Sequence, residues 1–486
     1  MFRKRIYLVI LTLLPLFSLF LKAQNGQVMY YMNLPQNHLY NPALRPSNSF
    51  YFGLGITAIG LNLNNNFFNF SDVFLPGRSD SIITFLHPDY DINNFLKKIN
   101  SNNFLTPDVN VQLFGLGFNA GKDLYVFLDV TERVEGNFSL PGDLIKLSLT
   151  GNDDFVGKTL DLGSFDAGLI YFREAGAGFS KLFGKHLRLG IKAKMLFGLA
   201  GFSMDNRKLN VTINEDFTHT FNADLTANIS GPVNIYYDAD NYPDSISFDE
   251  DKLKSPDAYL NTKNPGLGVD IGAVYSFSEK FSISAAVTDI GYIKWKDMVT
   301  NMKAESEFTF SGFNITDVVN GTKTFEELTD EMLDSLKRSF VVTDNKKPFS
   351  TYLAPAVTLG ASYNFTRSLG IGVLSHTLFE GNEIREAVTF SANLNAGNSF
   401  SASVSYTAKS RSYDNIGVGL AWRLGFLQFY IASNRIPVIW NKIIVDNSSF
   451  FLPENFNTFD LRFGLNVAFG NNIKKKSDRP MLKVEN

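Results

Sequence analysis

The amino-acid sequence predicts an all-β protein: a transmembrane antiparallel β-barrel of about 14 strands, with an N-terminal segment in its lumen and long extracellular loops. Three observations support this fold class. The chain begins with the layout of an export signal, apolar and small polar residues alternate over many stretches, and no later run resembles a membrane-spanning helix. Strands satisfy their backbone groups within a bilayer only when they close into a barrel.

The export signal occupies residues 1–23. A basic start at positions 3–5 precedes an apolar run over residues 6–21. Because this run contains Pro15 and is shorter than the roughly 20 residues of a spanning helix, we expect a cleaved signal peptide and not a retained anchor. Cleavage after Ala23 fits best, which predicts export to the outer membrane of a Gram-negative bacterium.

Composition narrows the range of chemistry. The 486 residues include no cysteine, which excludes disulfides, thiolate metal sites, cysteine catalysis and a lipidated cysteine after the signal. The formal net charge is -3 although residues 1–23 are basic, so the exported part is acidic and nucleic acid is not an expected partner. A mean hydropathy of -0.04 is typical of strands with one apolar and one polar side.

Period-two alternation is the main evidence for strands, because successive side chains of a strand point to opposite faces. Apolar residues alternate mostly with Gly, Asp, Ser, Thr and Asn over residues 267–277 and 357–365. The pattern repeats over residues 388–394 and 400–406 on either side of a Gly-Asn turn, which predicts a hairpin. We count roughly 14 to 16 stretches of about the length needed to cross a bilayer as a tilted strand. Further examples are residues 50–56, 187–197, 221–229, 281–287 and 416–424.

The soluble alternative is a β-sandwich, whose strands also alternate. The polar face of a sandwich meets bulk water and is usually rich in Lys, Glu and Thr. Here the polar positions are mostly small residues, which suit a crowded lumen, and many apolar runs end in an aromatic residue. Aromatic ends fit the girdles of a membrane barrel, so the barrel is favoured.

The last strand, residues 459–469, alternates without a break and ends in Phe469. A terminal strand with an aromatic end resembles the signal by which outer-membrane barrels are recognised for insertion, although here a polar stretch follows it. We therefore place the barrel at residues 50–469. Residues 470–486, with three consecutive lysines, are interpreted as a periplasmic polar tail.

Three long stretches between strands are candidates for extracellular loops: residues 62–108, 231–266 and 296–352. The third contains a helical pattern, in which Thr324 and Glu327 form a capping box ahead of apolar residues at near-helical spacing. Such a helix either plugs the lumen or decorates a surface loop.

Residues 24–49 form a separate segment between the signal and the first strand. Pro35, Pro42 and Pro46 preclude a regular helix there. The segment is therefore a linker or an irregular structure held by something else. In a barrel, the nearest support is the lumen.

The segment Asn41-Pro42-Ala43-Leu44 resembles the Asn-Pro-Ala motif of long-chain fatty-acid transporter (FadL-like) barrels, and it is similar to Bacteroidota outer-membrane proteins of the PorV and PorP/SprF type. Residues 287–295 resemble a strand-end motif of an uncharacterised branch of that group. FadL-like membership implies an N-terminal hatch inside the lumen and hydrophobic substrates that pass through a side opening. PorV-like membership implies docking of secretion substrates at the cell surface. The resemblance assigns Asn41 and Pro42 to the hatch.

Catalytic and metal-binding groupings are not visible in the sequence, so we expect no enzymatic activity and no cofactor. Glycines at positions 266, 268 and 272 alternate within a strand and do not open a helix, which argues against a dinucleotide loop. Acidic residues between positions 238 and 251 offer oxygen ligands for calcium, but a solvated surface loop is favoured because the central glycine of a calcium loop is missing. Five histidines are dispersed without partners at metal-ligand spacing: His38, His87, His186, His219 and His376.

Charged residues on the polar faces of the strands are the candidate lumen groups. They either pair across the lumen, which is favoured because unpaired charges in a narrow interior are costly, or line a path for solutes. The residues predicted to face inward are Arg188, Lys192, Lys194, Arg423, Arg462, Asp224, Asp270 and Asp460. The candidates for a substrate path or hatch are Asn41, Pro42, Arg188, Lys192, Asp270, Arg423 and Arg462.

Two functions remain open for such a barrel. One is a channel or transporter for hydrophobic or small solutes, with the N-terminal segment as its hatch. The other is a scaffold or docking barrel for secretion or surface assembly. The expected partners are outer-membrane lipid together with hydrophobic small molecules or secretion and surface-assembly proteins. The family resemblance slightly favours transport.

Overall fold

Fourteen strands of the described chain form one closed antiparallel barrel, which confirms the predicted fold class. The computed structural model describes residues 27–69, 74–76, 82–84, 87, 90–238, 243–249, 251–252, 255, 261–310, 341–381, 383–397, 399–408, 415–437, 440–445, 448–453 and 457–470. The barrel strands are β1 (Phe50–Asn65), β2 (Asn102–Asn119), β3 (Leu124–Pro141), β4 (Asp166–Phe183), β5 (Leu187–Ile213), β6 (Pro265–Ser276), β7 (Phe281–Trp295), β8 (Ala356–Asn364), β9 (Leu369–Glu380), β10 (Glu383–Ala396), β11 (Phe400–Ala408), β12 (Ile416–Leu424), β13 (Leu427–Ser433) and β14 (Thr458–Phe469).

The barrel closes because β14 pairs with β1. Phe469 faces Phe50 at one end of this pair, and Thr458 faces Asn64 at the other. Every other barrel strand pairs with its neighbours in the chain order given above. The ring of strands therefore has no open edge, and the two-sheet sandwich alternative is wrong.

The two ends of the barrel differ. Tight turns join β2 to β3, β4 to β5, β10 to β11 and β12 to β13, with Gly121, Gly184, Gly397 and Gly425 at positive φ. All of these turns lie at the end that carries Phe50 and Phe469, which we call the turn end. The long connections gather at the opposite end, called the loop end, as predicted for a membrane barrel.

A belt of large apolar side chains covers the outside of the ring. On β6, Leu267 is 59% exposed and Ile271 is 51% exposed, whereas Asp270 between them is completely buried. On β11, Val404 is 54% exposed while Ser403 beside it is buried. An apolar exterior and a polar interior on the same strands are the arrangement that a lipid bilayer requires.

Additional strands extend the sheet at the loop end. The far part of β5 pairs with His219–Ser230, which pairs with Val299–Phe310, which in turn pairs with Val341–Asn345. Lys158–Asp161 joins the end of β5, and Phe349–Tyr352 joins the end of β7. Separate hairpins are formed by Phe74–Pro76 with Ile82–Thr84, Val233–Tyr237 with Pro243–Phe248, and Trp440–Val445 with Ser448–Pro453.

Helices are few in the described residues. They are α1 (Ile92–Leu96), α2 (Gly142–Thr150) and the short 3-10 helices Gln27–Met29, Pro35–Leu39 and Asp153–Phe155. None of the helices in the part of the chain covered by the structure combines the length and the apolar character needed to cross a membrane.

Two sequence interpretations need correction. Residues 221–229 form a strand, but it belongs to the loop-end extension, so Asp224 does not face the lumen and pairs with Lys303 at 3.5 Å. Alternation of apolar and polar residues indicates a strand with one apolar and one polar face, and this holds whether or not the strand crosses a bilayer. The predicted loop over residues 62–108 is shorter, because β1 continues to Asn65 and β2 begins at Asn102.

Several predictions fall outside the described residues. These include the signal peptide, the helix that would begin near Thr324, and the tail beyond Gly470. Part of the acidic stretch considered for calcium, including Asp240 and Glu250, is outside them as well. These interpretations therefore stay predictions.

Candidate functional site

Residues 27–49, which we call the lumen segment, lie inside the barrel in the half nearer the turn end. Leu34, His38, Asn41 and Ala43 are completely buried there. The fixed φ of proline suits the start of a short helix, and Pro35 stands at the first position of the 3-10 helix Pro35–Leu39. The prolines therefore give a compact irregular segment in place of a longer helix.

The lumen segment is attached to the barrel wall mainly through side chains. In the described structure, the backbone-to-backbone hydrogen bonds of residues 27–48 stay within the segment, and Ser49 N then donates to Phe469 O at 3.0 Å, where the segment enters the sheet. Wall side chains bind the segment's carbonyl groups: Asn395 Nδ2 donates to Tyr31 O at 3.2 Å, and Gln428 Nε2 donates to Asn33 O at 3.1 Å. The segment is not a strand of the sheet.

Apolar packing holds the first part of the lumen segment against β12 and β13. Val28, Met29, Met32 and Leu34 form one cluster with wall residues. Burial of one such side chain contributes roughly 1.5–3 kcal/mol. This packing fills the part of the lumen between the first part of the segment and these two strands. The wall residues of the cluster include Ala421, Tyr430 and Ala432.

Asn41 and Pro42 lie against a notch formed by Gly190 of β5 and Gly272 of β6, which are cross-strand partners. A Cβ at Gly190 would overlap the backbone of Pro42 and Ala43, and a Cβ at Gly272 would overlap Asn41 Oδ1. The Asn41 side chain is fixed from within the segment as well, because Oδ1 accepts from Ala43 N at 2.9 Å. We call Gly190 and Gly272 the glycine notch.

Buried ion pairs cover the wall from β3 to β6. Lys192 Nζ lies 2.8 Å from Asp129 Oδ1 and 2.6 Å from Glu174 Oε1. Lys194 Nζ lies 2.7 Å from Asp270 Oδ1. Charges buried this deeply are tolerated only with close partners, and each of these lysines has them.

Arg133 of β3 extends this network across the lumen. Its Nη1 lies 2.8 Å from Glu174 Oε2 and 2.7 Å from Asp289 Oδ1 on β7, a strand that is not a neighbour of β3. Asp289 has a φ of 60°, at an irregularity in the pairing of β6 with β7. The irregularity lets Asp289 face inward beside Asp270, whose Oδ1 accepts from Asp289 N at 2.7 Å.

Arg462 of β14 meets the lumen segment on the opposite side. Its Nη1 donates to the Tyr40 hydroxyl at 3.1 Å, and its Nε donates to Asp460 Oδ2 at 3.3 Å. Burial raises the pKa of the Tyr40 hydroxyl, and the Arg462 guanidinium partly opposes this rise. Tyr40 therefore stays a neutral phenol that accepts from Arg462.

A chamber of about 180 Å³ lies above the lumen segment, on its loop-end side. The segment contributes the floor, and the wall contributes charged and apolar side chains. The acidic lining residues are Asp108, Glu135, Glu174, Asp289 and Glu380. The basic lining residues are Arg133, Lys192, Lys194, Arg385 and Arg462. The apolar lining includes Met29, Leu39, Tyr40, Ala58 and Tyr430.

The residues selected from the sequence divide into two groups. Lys192 and Arg462 line the chamber, and Asp270 lies behind the lining as a partner of Lys194. Arg188 and Arg423 lie at the turn end, away from the chamber: Arg188 Nη1 donates to Ser180 Oγ at 3.1 Å, and Arg423 Nε donates to a backbone carbonyl at 2.8 Å. A role in a substrate path stays a prediction for all of them.

Sequence reasoning missed much of the network, namely Asp129, Arg133, Glu135, Glu174 and Asp289. A signal for three of them was present, since Asp129, Arg133 and Glu135 share one face of an alternating stretch. Among the described side chains, no group of three or more His, Asp or Glu residues is arranged to hold a metal ion.

The sequence matches one known protein family. Residues 42–434 match the model of a family of unknown function, DUF5723. The chain belongs to this family. No curated protein matches the DUF5723 chain in sequence.

Solved structures with a similar course of the chain include a toluene transporter and a FadL homologue. The toluene transporter TbuX of Ralstonia pickettii is 9% identical with a TM-score of 0.40, and the alignment covers 92% of this chain and 98% of TbuX. A Pseudomonas aeruginosa FadL homologue is 11% identical with a TM-score of 0.40, over 92% of this chain and 96% of that one. Similarity at this level says nothing about the substrate.

Proposed function

We propose that this protein is an outer-membrane channel for small solutes, in which the lumen segment acts as a removable hatch. The observation that carries the proposal is that every described hydrogen bond between residues 27–48 and the wall involves a side chain, whereas their backbone-to-backbone hydrogen bonds stay inside the segment. A segment attached in this way leaves the lumen without breaking the barrel sheet. Its undocking opens the turn end of the lumen.

The lining of the chamber favours solutes that carry polar groups. Five acidic and five basic side chains line it, next to an apolar patch. A purely hydrophobic solute would remove water from these charged groups without replacing their hydrogen bonds, which is costly. A small solute with its own polar groups replaces them.

A disulfide tether tests the hatch, and the absence of native cysteine makes the experiment clean. A Cβ at Gly419 of β12 would contact Met32 Sδ of the lumen segment. Met32→Cys shortens that side chain, so Met32→Cys with Gly419→Cys places two thiols across the contact. The control pair is Ser282→Cys with Ser362→Cys, whose hydroxyl oxygens lie 2.9 Å apart on the neighbouring wall strands β7 and β8.

Permeation of small polar solutes into proteoliposomes is measured before and after reduction. The oxidised hatch tether is expected to lower permeation at least about tenfold, with recovery on reduction, because a tethered segment cannot populate the open state. The wall tether is expected to leave permeation unchanged. Equal permeation through the oxidised and reduced hatch tether would overturn the proposal and leave the docking-barrel alternative.

A further inference from the structure

One side chain crosses the lumen on the loop-end side of the chamber. Arg385 of β10 reaches across the lumen to β2, where its Nη1 donates to Thr106 Oγ1 at 3.2 Å and its guanidinium stacks 4.1 Å from the centre of the Phe104 ring. Glu380 Oε2 lies 2.6 Å from Arg385 Nη1. The chamber volume of about 180 Å³ limits a bound ligand to a small molecule.

Five residues that line this chamber each have a buried polar atom without a hydrogen-bond partner among the described residues: Asn64 Oδ1, Gln112 Nε2, Thr131 Oγ1, Arg133 Nε and His376 Nε2. Gln112, Thr131 and His376 are 2%, 6% and 7% exposed. Gln112 and Thr131 are direct cross-strand partners on β2 and β3, so two of these residues lie side by side. Buried polar groups are normally satisfied, and several unsatisfied ones in one cavity indicate a ligand that satisfies them.

The charges on the β14, β1, β2 and β3 wall are arranged in rows of opposite sign. The strand register places Arg462, Gly60, Asn110 and Arg133 side by side in one row. Two residues further toward the loop end, the next row contains carboxylates. The members of this second row are Asp460, Asn62, Asp108 and Glu135.

Asp108 is the carboxylate of this wall that has no ion-pair partner within the described residues. It accepts a hydrogen bond from the Asn110 amide and lines the chamber. Arg133 in the adjacent row lines the chamber too, and its Nε has no hydrogen-bond partner among the residues that the structure describes. The wall thus offers one acceptor for an ammonium group and donors for a carboxylate, next to the apolar patch around Tyr40 and Tyr430.

We propose that the chamber binds a small zwitterion, with one ammonium group, one carboxylate and an apolar side group, of the size of an amino acid. Asp108 receives the ammonium group, and Arg133 with Gln112 binds the carboxylate. Thr131, the cross-strand partner of Gln112, adds a hydrogen bond at the carboxylate end. The equal numbers of acidic and basic lining residues favour a ligand without net charge. The proposal deepens the proposed function by naming the solute class, and it rests on that function only for the route by which the solute enters.

Binding is measured by calorimetry on the purified barrel in detergent, so that it does not depend on transport. The probes are leucine, 3-methylbutan-1-amine, which lacks the carboxylate, and 4-methylpentanoate, which lacks the ammonium group. Leucine is expected to bind at least about tenfold more tightly than either half-ligand, since each charge-assisted hydrogen bond is lost with its group. Equal affinity for a half-ligand, or no binding of any probe, would overturn the proposal, and the second result would assign the chamber to water alone.

Two variants locate the site. Thr131→Val removes a hydroxyl that has no hydrogen-bond partner in the described part of the chain, so it is expected to leave the barrel folded and to weaken leucine binding roughly fivefold. Asp108→Asn keeps the size of the side chain and is expected to weaken it at least about tenfold. The control is Asp205→Asn in the loop-end extension, where the side chain is exposed, and unchanged affinity is expected.

Failure of the two proposals is distinguishable. If leucine still binds to the oxidised hatch-tether variant and the tether does not change permeation, the zwitterion site is supported and the hatch is refuted. If the tether lowers permeation but leucine does not bind, the hatch is supported and the zwitterion site is refuted. Thr131→Val and Asp108→Asn with wild-type affinity for leucine would place the bound zwitterion elsewhere and overturn the assignment.

Discussion

His38 of the lumen segment meets Asp129 of β3 inside the barrel: His38 Nε2 lies 3.3 Å from Asp129 Oδ2, and neither side chain has any exposed surface. The other ring nitrogen, Nδ1, lies 2.7 Å from Pro35 O. Because Asp129 also binds Lys192, this contact joins the lumen segment to the ionic network of the wall. The Phe127 ring, with its centre 4.4 Å from that of His38, covers the contact.

The His38 contact predicts how firmly the segment docks. His38→Ala removes a buried hydrogen-bonded group and its packing on Phe127, which costs roughly 1–3 kcal/mol of docking, or about a 5- to 150-fold shift toward the undocked segment. Maleimide labelling of a cysteine introduced by Met32→Cys, a position that is 3% exposed, reports the shift. Faster labelling is expected with His38→Ala, and no change with His186→Ala at an exposed turn. Equal labelling rates would show that the contact does not hold the segment.

The glycine notch predicts a different way to release the segment. Gly190→Ala would place a methyl group in the backbone of Pro42 and Ala43, which cannot move aside as a flexible side chain would. We expect an undocked segment in a barrel that still closes, seen as fast labelling of Met32→Cys with normal heat-modifiable migration on a gel. The matched control is Gly268→Ala on β6, where the nearest atom would lie 3.4 Å from the new Cβ, and slow labelling is expected. Slow labelling in both variants would show that the glycine notch is not needed for docking of the segment.

Much of the fold follows from local pattern, and much of the site does not. Alternation over residues 388–394 and 400–406 identifies the β10–β11 hairpin, because the spacing of apolar residues and the turn glycine are local properties. The same pattern over residues 221–229 cannot tell a barrel strand from the loop-end extension, because ring membership depends on which distant strand pairs with it.

The ionic network shows the same limit. Inward-facing charge at Lys192 and Asp270 is visible in one stretch of sequence, but their partners lie on other strands. Arg133 contacts Asp289 across the lumen from a strand that is not its neighbour, so the contact depends on the number and tilt of all the strands between them. The glycines of the notch look like ordinary strand glycines until Asn41 and Pro42 are seen against them.

Substitution of Lys192 tests how much this ionic network contributes to the free energy of unfolding. Lys192→Met leaves Asp129 and Glu174 buried with one fewer cation, although His38 and Arg133 remain as partners. Removal of one member of a buried ion pair costs roughly 3–5 kcal/mol, and the remaining partners favour the lower part of that range. The check is the urea concentration at which heat-modifiable migration is lost.

Lys303→Met is the control for this measurement. Lys303 pairs with Glu305 at 2.6 Å, but both side chains are partly exposed, and a surface pair contributes about 0–1 kcal/mol. We expect Lys192→Met to lower the urea midpoint of unfolding and Lys303→Met to leave it unchanged. Similar midpoints for both variants would mean that the lumen pairs are as well solvated as the surface pair.

Ile271 tests whether the apolar belt of the ring faces lipid. It is 51% exposed on β6, and Ile271→Arg places a charge on the outer surface of the barrel. At the middle of a bilayer this costs roughly 2–4 kcal/mol, whereas an exposed position in water has no such penalty. Thr309→Arg, on the exposed face of the Val299–Phe310 strand in the loop-end extension, is the matched control.

Refolding yield into lipid vesicles is therefore expected to fall with Ile271→Arg and to stay at the wild-type level with Thr309→Arg. A yield unaffected by Ile271→Arg would mean that lipid does not surround β6, and a fall with both variants would place the extension in the bilayer as well.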